Sequence, residues 1–591
     1  MSSHRELDLM DYFTRELEYL RRAGKDFGKK YPQVASKLDL RESESLDPHV
    51  ERLIESFAFL SARVRRDIDR DYSQIANGVL EKFCPSLLQP IPSLTVAHLT
   101  PNSKLGKITS PLKIPRYSRL EARSDTGQIC TFRTVWDLFF IPLQVVNTSF
   151  DEDENVFLHL QTIQGSDLSE LQIPTLDFHI NADWKMISQL QENLINKLRS
   201  VTILDQTGKL IECSKDIVQF KGFDEEELAL PLPHGGQPAY CLLQEYFAFE
   251  KKFHFITLKN LNLNSFSGNK LILKFNFSVL PKKLKALTEK NLILNCVPII
   301  NLFSKISEPI KLSDRKIDQL LIADKKNDSY TEIHSIESIT ISEPGGSNTR
   351  KIKEFSAVTE GQDAFDSEGD DLLWIARREK SLRKDVTGSD IFFSLVEKNL
   401  SSEIIKNATA YANLLCTNRR ICEQIPANSR FDAESITDGI QVRSLYEPSA
   451  QRDPSFDGGS IWQLTSLLTL NHYSLVAGDT GIHQIREMLN LFSTGNLRDF
   501  EQIRGIKSLV ANESVRRIQK QSWRTFCTGV SVSIEIERDA FVGSSLILFT
   551  LVLAKFFSLY TTVNSFVCLS ITCENEKLVE WAPMSGTQEY L

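Results

Sequence analysis

The spacing of apolar residues changes along this chain, and that change is the strongest constraint on its fold. Near the start, apolar or small residues recur three and four positions apart: Met10, Phe13, Leu17, Leu20, Gly24, Phe27 and Tyr31. A second series has the same spacing: Val50, Leu53, Phe57, Leu60 and Val64. Narrow stripes of this kind, separated by charged residues, are typical of helices that pack lengthwise. We predict that residues 1–92 are helical, either as a hairpin closing on its own core or as a bundle shared with other chains.

From about residue 93 the apolar period becomes two. One alternating series is Leu271, Leu273, Phe275, Phe277 and Val279, and another is Leu176, Phe178 and Ile180. Alternation of this kind indicates strands with one buried face. We predict a mostly antiparallel, β-rich region over 93–365, built as one or two sub-domains. His159 and His179 fall on the polar faces of such strands and are expected to be exposed.

Both periods occur toward the C-terminus. Helical spacing is found at Ile482, Ile485, Leu489 and Phe492, and strand alternation at Val530, Val532, Ile534 and Ile536. We predict a β-containing connecting region over 366–459, preceded by an acidic loop at 360–371, and a C-terminal α+β domain over 460–591. The predicted fold class is α+β and multidomain, with an N-terminal helical bundle, a β-rich middle and an α+β C-terminal domain.

Length and composition narrow the class of protein. A chain of 591 residues suits three to five domains, and its 41% hydrophobic and 25% charged residues exclude collagen-like and largely disordered proteins. The net charge of −8 gives no sign of a nucleic-acid partner. The ten scattered cysteines contain no CxxC pair, so free thiols in a reducing compartment are expected. The N-terminus lacks the apolar core of a signal peptide, and a cytoplasmic location is expected.

One apolar stretch allows a membrane-associated alternative. Between 540 and 572 the only charged residue is Lys555, and the whole stretch is long enough to span a bilayer. Lys555 divides the stretch into a part that favours a buried helix and a part, rich in Thr, Val, Ser and Phe, that favours a strand. We predict a helix–strand unit here, with a secretion component anchored through 540–572 as the alternative.

Motifs for catalysis, phosphate binding and metal binding are incomplete. His234-Gly235-Gly236 resembles an oxyanion loop, but the sequence has no GxSxG nucleophile elbow. Asp479-Thr480-Gly481 matches the aspartic-protease triplet but is flanked by helical patterns. The His and Cys residues lack the short spacings of metal ligands. No catalytic, cofactor-binding or metal-binding residue, no cofactor and no small-molecule substrate are predicted; a hydrolase with an unrecognised site is the lesser alternative.

Sequence blocks along nearly the whole chain carry a family resemblance. They occupy 15–21, 47–60, 90–93, 130–134, 242–249, 298–303, 415–419, 459–464, 470–475 and 563–566. In this order they resemble the TssF family (also called ImpG or VasA), baseplate subunits of bacterial type VI secretion systems. Two departures are local: Glu250 stands where the family pattern has proline, and 360–371 is unusually acidic.

The resemblance implies a structural role without bond making or breaking. A TssF-like chain would form baseplate wedges with a TssG-like subunit, two copies to one, and would self-associate there. TssK-like trimers and a TssE-like sheath initiator would join these wedges around a VgrG-like spike and support sheath and tube assembly and contraction. The implied location is cytoplasmic, in a baseplate docked at the inner-membrane complex.

Candidate interface residues come from the two stripes and from charged positions. The stripes contribute Met10, Phe13, Leu17, Leu20, Phe27, Val50, Leu53, Phe57 and Leu60. Arg419, Arg516 and Arg517 are added because arginine is favoured at binding hot spots. These arginines could equally stabilise their own domain.

Overall fold

A computed structural model gives the architecture of the protein. The residues it describes are 9–31, 33, 48–102, 110–151, 155–163, 167–171, 175–233, 236–261, 266–279, 281–312, 318–342, 349–355, 372–381, 383, 386–397, 408–433, 436, 439–454, 481–520, 523–559, 565–574 and 576–586. The chain divides into a helical unit, Met1–Phe83 with Ser455–Thr469, and a β-rich unit, Cys84–Pro454 with Leu470–Leu591. The acidic segment 360–371 and the residues His234 and Gly235 lie outside the described residues.

The helical unit contains two long α-helices that pack against each other, α1 (Leu9–Lys30) and α2 (Pro48–Phe83). Proline at the first position of α2 is favourable, because that residue's backbone N–H would have no partner within the helix. Within the predicted helical region 1–92, the described residues 9–30 and 48–83 are α-helical. The β-rich unit contributes five further helices among its described residues: α3 (Trp184–Asn196), α4 (Pro238–Ala248), α5 (Gly481–Phe492), α6 (Leu497–Arg504) and α7 (Leu546–Leu559).

The described strands of the β-rich unit form five larger sheets and one ribbon. Sheet 1 contains β1 (Leu94–Pro101), β3 (Arg119–Arg123), β4 (Ile129–Thr134), β15 (Cys296–Ile300), β24 (Arg430–Phe431) and β25 (Ile440–Ser444). Sheet 2 contains β6 (Leu143–Phe150), β7 (Val156–Thr162), β9 (Leu198–Asp205), β10 (Leu210–Ser214) and β13 (Lys270–Phe277). Sheet 3 contains β8 (Thr175–Ile180), β11 (Val218–Lys221), β12 (Phe255–Lys259) and β14 (Leu292–Ile293).

Sheet 4 contains β16 (Phe303–Ile306), β17 (Ile310–Lys311), β18 (Gln319–Leu321), β19 (Glu332–Ser342), β20 (Thr349–Glu354), β21 (Leu372–Lys380), β22 (Ser389–Glu397) and β23 (Thr409–Thr417). Sheet 5 contains β26 (Ile506–Lys520), β27 (Trp523–Ile536), β28 (Phe566–Cys573), β29 (Glu576–Glu580) and β30 (Met584–Ser585), and the ribbon pairs β2 (Leu112–Ile114) with β5 (Leu138–Phe140). The pairings are antiparallel except β20–β21 and β27–β28. The predicted multidomain α+β class with mostly antiparallel sheets is confirmed.

The alternating sequence patterns correspond to buried and exposed faces. In β13, every second residue from Leu271 to Phe277 is buried and the residues that alternate with them are partly exposed, so this predicted strand is confirmed. Val279 lies beyond the end of the strand and is exposed. Apolar side chains of sheets 2 and 3 and of α3 share one hydrophobic core, and sheet 4 has its own.

The expectation that His179 is exposed was wrong. The polar face of β8 is covered by a distant part of the chain: His179 Nε2 lies 2.9 Å from the Tyr446 hydroxyl, and its ring packs 4.5 Å from that of Phe255. Burial, the largest cause, lowers the pKa of His179 well below its ordinary value. His159 is half-buried, with Nε2 2.8 Å from the Ser149 hydroxyl.

The stretch 540–572 forms the predicted helix and strand. Helix α7 has 14 residues, and its side chains, including Phe549 and Phe556, are almost all buried. Strand β28 pairs with β27 on one side and β29 on the other. Within the part of the chain that the structure describes, no helix combines the length and apolar character needed to cross a membrane. The described residues of the stretch, 540–559 and 565–572, include α7 and most of β28 and are mostly buried within the β-rich unit.

A fully buried ion pair organises the chain around α4. Lys252 and Glu245 pair with no exposure of either side chain. The Lys252 ammonium also donates to the Gly222 carbonyl at 3.0 Å, and Glu245 Oε1 accepts from the backbone N–H groups of Ala229 and Leu230 at 2.7 and 2.8 Å. Because each charge is compensated by several partners, the pair fixes three chain segments against α4.

A second buried carboxylate joins the middle of the chain to its C-terminal part. Glu250 Oε1 accepts from the Ser545 backbone N–H at 3.0 Å, just before α7, and Oε2 accepts from Arg498 of α6 at 2.9 Å. His254 Nε2 stands 4.0 Å from the same carboxylate. Desolvation is the largest single influence and acts to raise the pKa of Glu250, but nearby His254, the charge of Arg498 and the Ser545 N–H together outweigh it and lower that pKa.

We predict that Lys252→Met lowers the free energy of unfolding by about 3–5 kcal/mol, because it leaves the Glu245 carboxylate buried without its cation. Urea unfolding followed by circular dichroism measures the effect. Adding Glu245→Gln should recover part of the loss, since an amide oxygen still accepts from Ala229 and Leu230. The matched control is Lys507→Met, which removes a half-exposed pair with Glu537 and should cost less than about 1 kcal/mol. Equal losses for the two lysines would contradict the role of the buried pair.

Candidate assembly interface

Polar contacts hold α1 against α2. Glu16 accepts a hydrogen bond from Ser61 at 3.0 Å and pairs with Arg65 at 2.7 Å, while Arg21 donates through Nε to Glu51 at 3.1 Å. The hydrogen bond from Arg65, more than any other contact, lowers the pKa of Glu16. Polar contacts at two separate points along the helices thus fix the position of α1 along α2.

Small residues of α2 face α1. Ala58 and Ala62, one helical turn apart, are completely buried. On α1 the stripe residues Phe13, Leu17 and Leu20 are half-buried. Val50, at the start of α2, is also half-buried. The contact between the helices therefore uses alanines from α2 and only part of the α1 stripe.

The larger apolar residues of α2 lie on a different side of the helix. Five of them are spaced three or four residues apart and are between 53% and 72% exposed, and we call them the α2 stripe: Leu53, Phe57, Leu60, Val64 and Ile68. At about 100° per residue they form one line, roughly 140° around the helix from Ala58 and Ala62. Met10 and Phe27 of α1 are exposed as well. The pairing of α1 with α2 therefore leaves the α2 stripe exposed to water.

The sequence interpretation did not include Ile68, although it continues the spacing four residues after Val64. Tyr19 and Phe59 are exposed aromatic residues of the same two helices and were also missed. Neither belongs to the three-and-four series, so the periodicity gave no signal for them.

Arg419 is buried within the β-rich unit. Its Nε donates to the Thr331 carbonyl at 3.2 Å, its guanidinium also bonds the Thr387 carbonyl, and it lies 3.6 Å from Glu332. Glu332 is itself buried and accepts from the Ser389 backbone N–H at 2.8 Å. These contacts match the alternative in which Arg419 stabilises its own domain.

Arg516 and Arg517 follow each other on β26. Arg516 is half-exposed and pairs with Glu580 of β29 at 2.9 Å. Together with Lys577, which contributes most, this contact lowers the pKa of Glu580 to about 2. The backbone of Arg517 pairs with that of Phe526 in β27, and its side chain lies outside the described part of the structure.

Among the described residues, no group of three or more His, Cys, Asp or Glu side chains is arranged to hold a metal ion. The α2 stripe is a line of exposed apolar side chains, and contiguous surface of this kind is typical of protein–protein contact sites. An α+β protein with such a stripe on paired helices has the surface expected of a subunit that assembles with other chains.

The comparisons give this class a family. The family model described as type VI secretion system, TssF, matches residues 6–588. The chain therefore belongs to the TssF family. It is 28% identical to the type VI secretion system component TssF1 of Pseudomonas aeruginosa strain PAO1, over 99% of both chains.

Two solved structures have similar folds. A chain of a type VI secretion system TssK-TssF-TssG baseplate subcomplex, determined by cryo-electron microscopy, matches with a TM-score of 0.72 and 22% identity, covering 91% of this chain and 99% of that chain. A chain of a type VI secretion system baseplate complex matches with a TM-score of 0.63 and 21% identity, covering 99% and 100%. Both matches cover at least 91% of this chain, so the fold is shared over nearly its whole length.

Removing the carboxylate of Glu16 should loosen the contact between α1 and α2. Because its folded pKa is lowered, Glu16 stabilises the hairpin above its unfolded pKa of about 4.3, and this contribution is lost as the pH falls through the folded pKa. Glu16→Gln should therefore accelerate hydrogen exchange of α1 amides at pH 7, and the difference from wild type should shrink as the pH falls below about 4.3 and disappear only below the lowered pKa of folded Glu16. Glu18→Gln, on an exposed position of α1, is the control. The same acceleration in both variants would contradict this role.

Gly388→Ala should disrupt the Arg419 pocket. Gly388 has φ +115°, and an added Cβ would lie 2.6 Å from Arg419 and 2.8 Å from Glu332. Overpacking and the strained backbone together should cost about 2–4 kcal/mol in thermal unfolding. Gly127→Ala isolates the backbone contribution, because Gly127 has φ +82° with nothing within 4 Å, and should cost about 1 kcal/mol. If both variants unfold alike, the tight packing of the pocket is refuted.

Proposed function

We propose that this protein is a structural subunit of the type VI secretion baseplate, and that the α2 stripe packs into a helical bundle shared with other subunits. The observation that carries the proposal is the placement of Leu53, Phe57 and Leu60 in water on a helix already paired with α1. Membership of the TssF family supports the secretion system and a structural rather than a catalytic role.

The energetics favour burial of the stripe. Complete burial of one Leu, Ile, Val or Phe side chain contributes roughly 1.5–3 kcal/mol. Each residue of the α2 stripe is more than half exposed, so more than half of this contribution is still available for binding a partner. Five such residues in one line give a driving force that can offset the cost of ordering two chains. Their three-and-four spacing suits insertion between the side chains of a neighbouring helix.

The partners follow from the similar structures. One of them contains TssK and TssG together with TssF, and this supports a TssG-like and a TssK-like subunit as partners of this chain. We extend the proposal to two copies of this chain per TssG-like subunit, self-association in the wedge, a TssE-like sheath initiator and a VgrG-like spike. The location that follows is a cytoplasmic baseplate docked at the inner-membrane complex.

Co-expression with the TssG-like protein of the same bacterium, followed by size-exclusion chromatography with light scattering, tests the assembly. A complex of two copies of this chain to one TssG-like subunit supports the proposal. A stable monomer that ignores this partner and the TssK-like subunit would refute it.

Charge placed in the α2 stripe should prevent assembly. The double variant Phe57→Asp, Leu60→Asp puts two carboxylates where the bundle would exclude water, so we expect recovery of the complex to fall at least about tenfold in co-purification. Both positions are already exposed, so the circular dichroism spectrum of the isolated chain should change little.

The matched control is Glu55→Lys, which changes charge by a similar amount on an exposed position of α2 facing away from the stripe. It should assemble as wild type does. Normal assembly of the double variant, or equal damage by Glu55→Lys, would remove the stripe from the interface.

A further inference from the structure

A strained turn presents an aromatic side chain on the β-rich unit. Tyr117 lies between β2 and β3 with φ +67° and is 49% exposed. Left-handed backbone is unfavourable for a residue with a bulky side chain, and such strain persists only where the surroundings fix it. An exposed aromatic residue is therefore held in a strained conformation at this turn.

Several hydrogen bonds hold this turn in place. The Tyr117 N–H donates to the Thr134 carbonyl at 3.0 Å, and the Ser118 N–H donates to the Thr134 hydroxyl at 3.0 Å. The Arg116 N–H donates to Asp137 at 2.7 Å, and the Ser118 hydroxyl donates to the Pro115 carbonyl at 2.7 Å. The backbone is thus rigid before any partner arrives, which reduces the entropy cost of binding.

Two guanidinium groups stand over the exposed ring. The Cζ atoms of Arg116 and Arg133 lie 4.6 and 4.3 Å from the centre of the Tyr117 ring. The two positive charges repel each other, and the charge of Arg116 is one of the causes that lower the pKa of Arg133, after desolvation. Within the described ranges, neither arginine has a carboxylate at ion-pair distance.

Arg133 also lacks hydrogen-bond acceptors. Its Nε is buried without a hydrogen-bond partner, and its guanidinium makes no hydrogen bond to any described residue. Glu337 influences the pKa of Arg133 through its charge, without forming an ion pair with it. Arg116 has one acceptor, the Leu228 carbonyl at 2.8 Å, while its own Nε is likewise unpaired. Desolvation, the largest cause, lowers the pKa of Arg133. A half-buried guanidinium without acceptors is costly unless another molecule supplies them.

We propose that the Arg116–Tyr117–Arg133 cluster is a docking site for an aspartate or glutamate side chain of a partner subunit. A carboxylate is planar and can accept two parallel N–H bonds from the free edge of Arg133, which matches the fork of that side chain. Tyr117 supplies a rigid aromatic contact beside the ion pair, and Tyr and Arg are the residues enriched at binding hot spots. The inference rests on the proposed function only in that it requires the chain to assemble with other proteins.

The test uses the full-length chain co-expressed with the TssG-like and TssK-like subunits of its own bacterium. A photo-reactive benzoyl-phenylalanine in place of Tyr117 reports, by mass spectrometry, which peptide lies against the cluster. In parallel, Tyr117→Gly and Arg133→Gln are compared with wild type for complex formation at low and high salt. Glycine adopts left-handed backbone without strain, so Tyr117→Gly removes the ring while leaving the turn relaxed.

We expect the photo-adduct to fall on a partner peptide that contains Asp or Glu. Each variant should weaken the complex at least about tenfold and make it less sensitive to salt. The melting temperature of the isolated Tyr117→Gly chain should be unchanged or raised, which separates docking from a structural role. Arg119→Gln, on the exposed end of β3 and already paired with Glu121 at 2.5 Å, is the matched control and should assemble normally.

Two results would overturn the docking site: a complex that forms without any intermolecular adduct at position 117, or variants that assemble like wild type. In both, the wild-type complex has formed, so the proposed function survives. If wild type does not assemble with either subunit, the proposed function fails, and the docking site fails with it.

Discussion

The buried carboxylate of Glu250 is the contact on which the arrangement of the β-rich unit depends. It receives the N–H that precedes α7 and the guanidinium of Arg498 on α6, so one side chain ties both C-terminal helices to the chain segment that follows α4. A buried charge tolerates few arrangements, because every oxygen that loses a partner is costly. The Glu245–Lys252 pair, on the same stretch of the chain, is a second joint of this kind.

The spacing of apolar residues predicted individual helices and strands well, but it did not predict which elements pack beside each other. The alternation in β13 and the helical spacing in α5 reflect which face of each element is apolar, and that information is contained in the element itself. Sheet order is different in kind: β1 pairs with both β15 and β25, which places Ala97 opposite Ser444. His179 illustrates the consequence, since the alternation correctly assigned it to the polar face of β8 while Tyr446, far away in the sequence, covers that face.

The same limit applies to the candidate interface. The three-and-four spacing located the apolar residues of α2, but the inward face was set by Ala58 and Ala62, which are too small to dominate a hydrophobic pattern. The spacing therefore left open whether the hairpin closes on its stripe or exposes it. Arg419 was undecided for a related reason: its burial depends on the carbonyl groups and the glycine of distant segments, and on its own left-handed backbone with φ +53°.

The α2 stripe and the Arg116–Tyr117–Arg133 cluster would make different contributions to association. An apolar stripe stabilises a bundle in proportion to the area it buries, but neighbouring registers along a heptad bury similar areas and differ little in free energy. The proposed Arg116–Tyr117–Arg133 contact would bury little area, but a misplaced carboxylate would leave the guanidinium groups unpaired, so a contact of this kind discriminates between partners more than it adds affinity. An assembly of several different subunits needs both affinity and discrimination between partners. The strain retained at Tyr117 is understandable in these terms, since a discriminating contact is useful only if it is rigid before the partner binds.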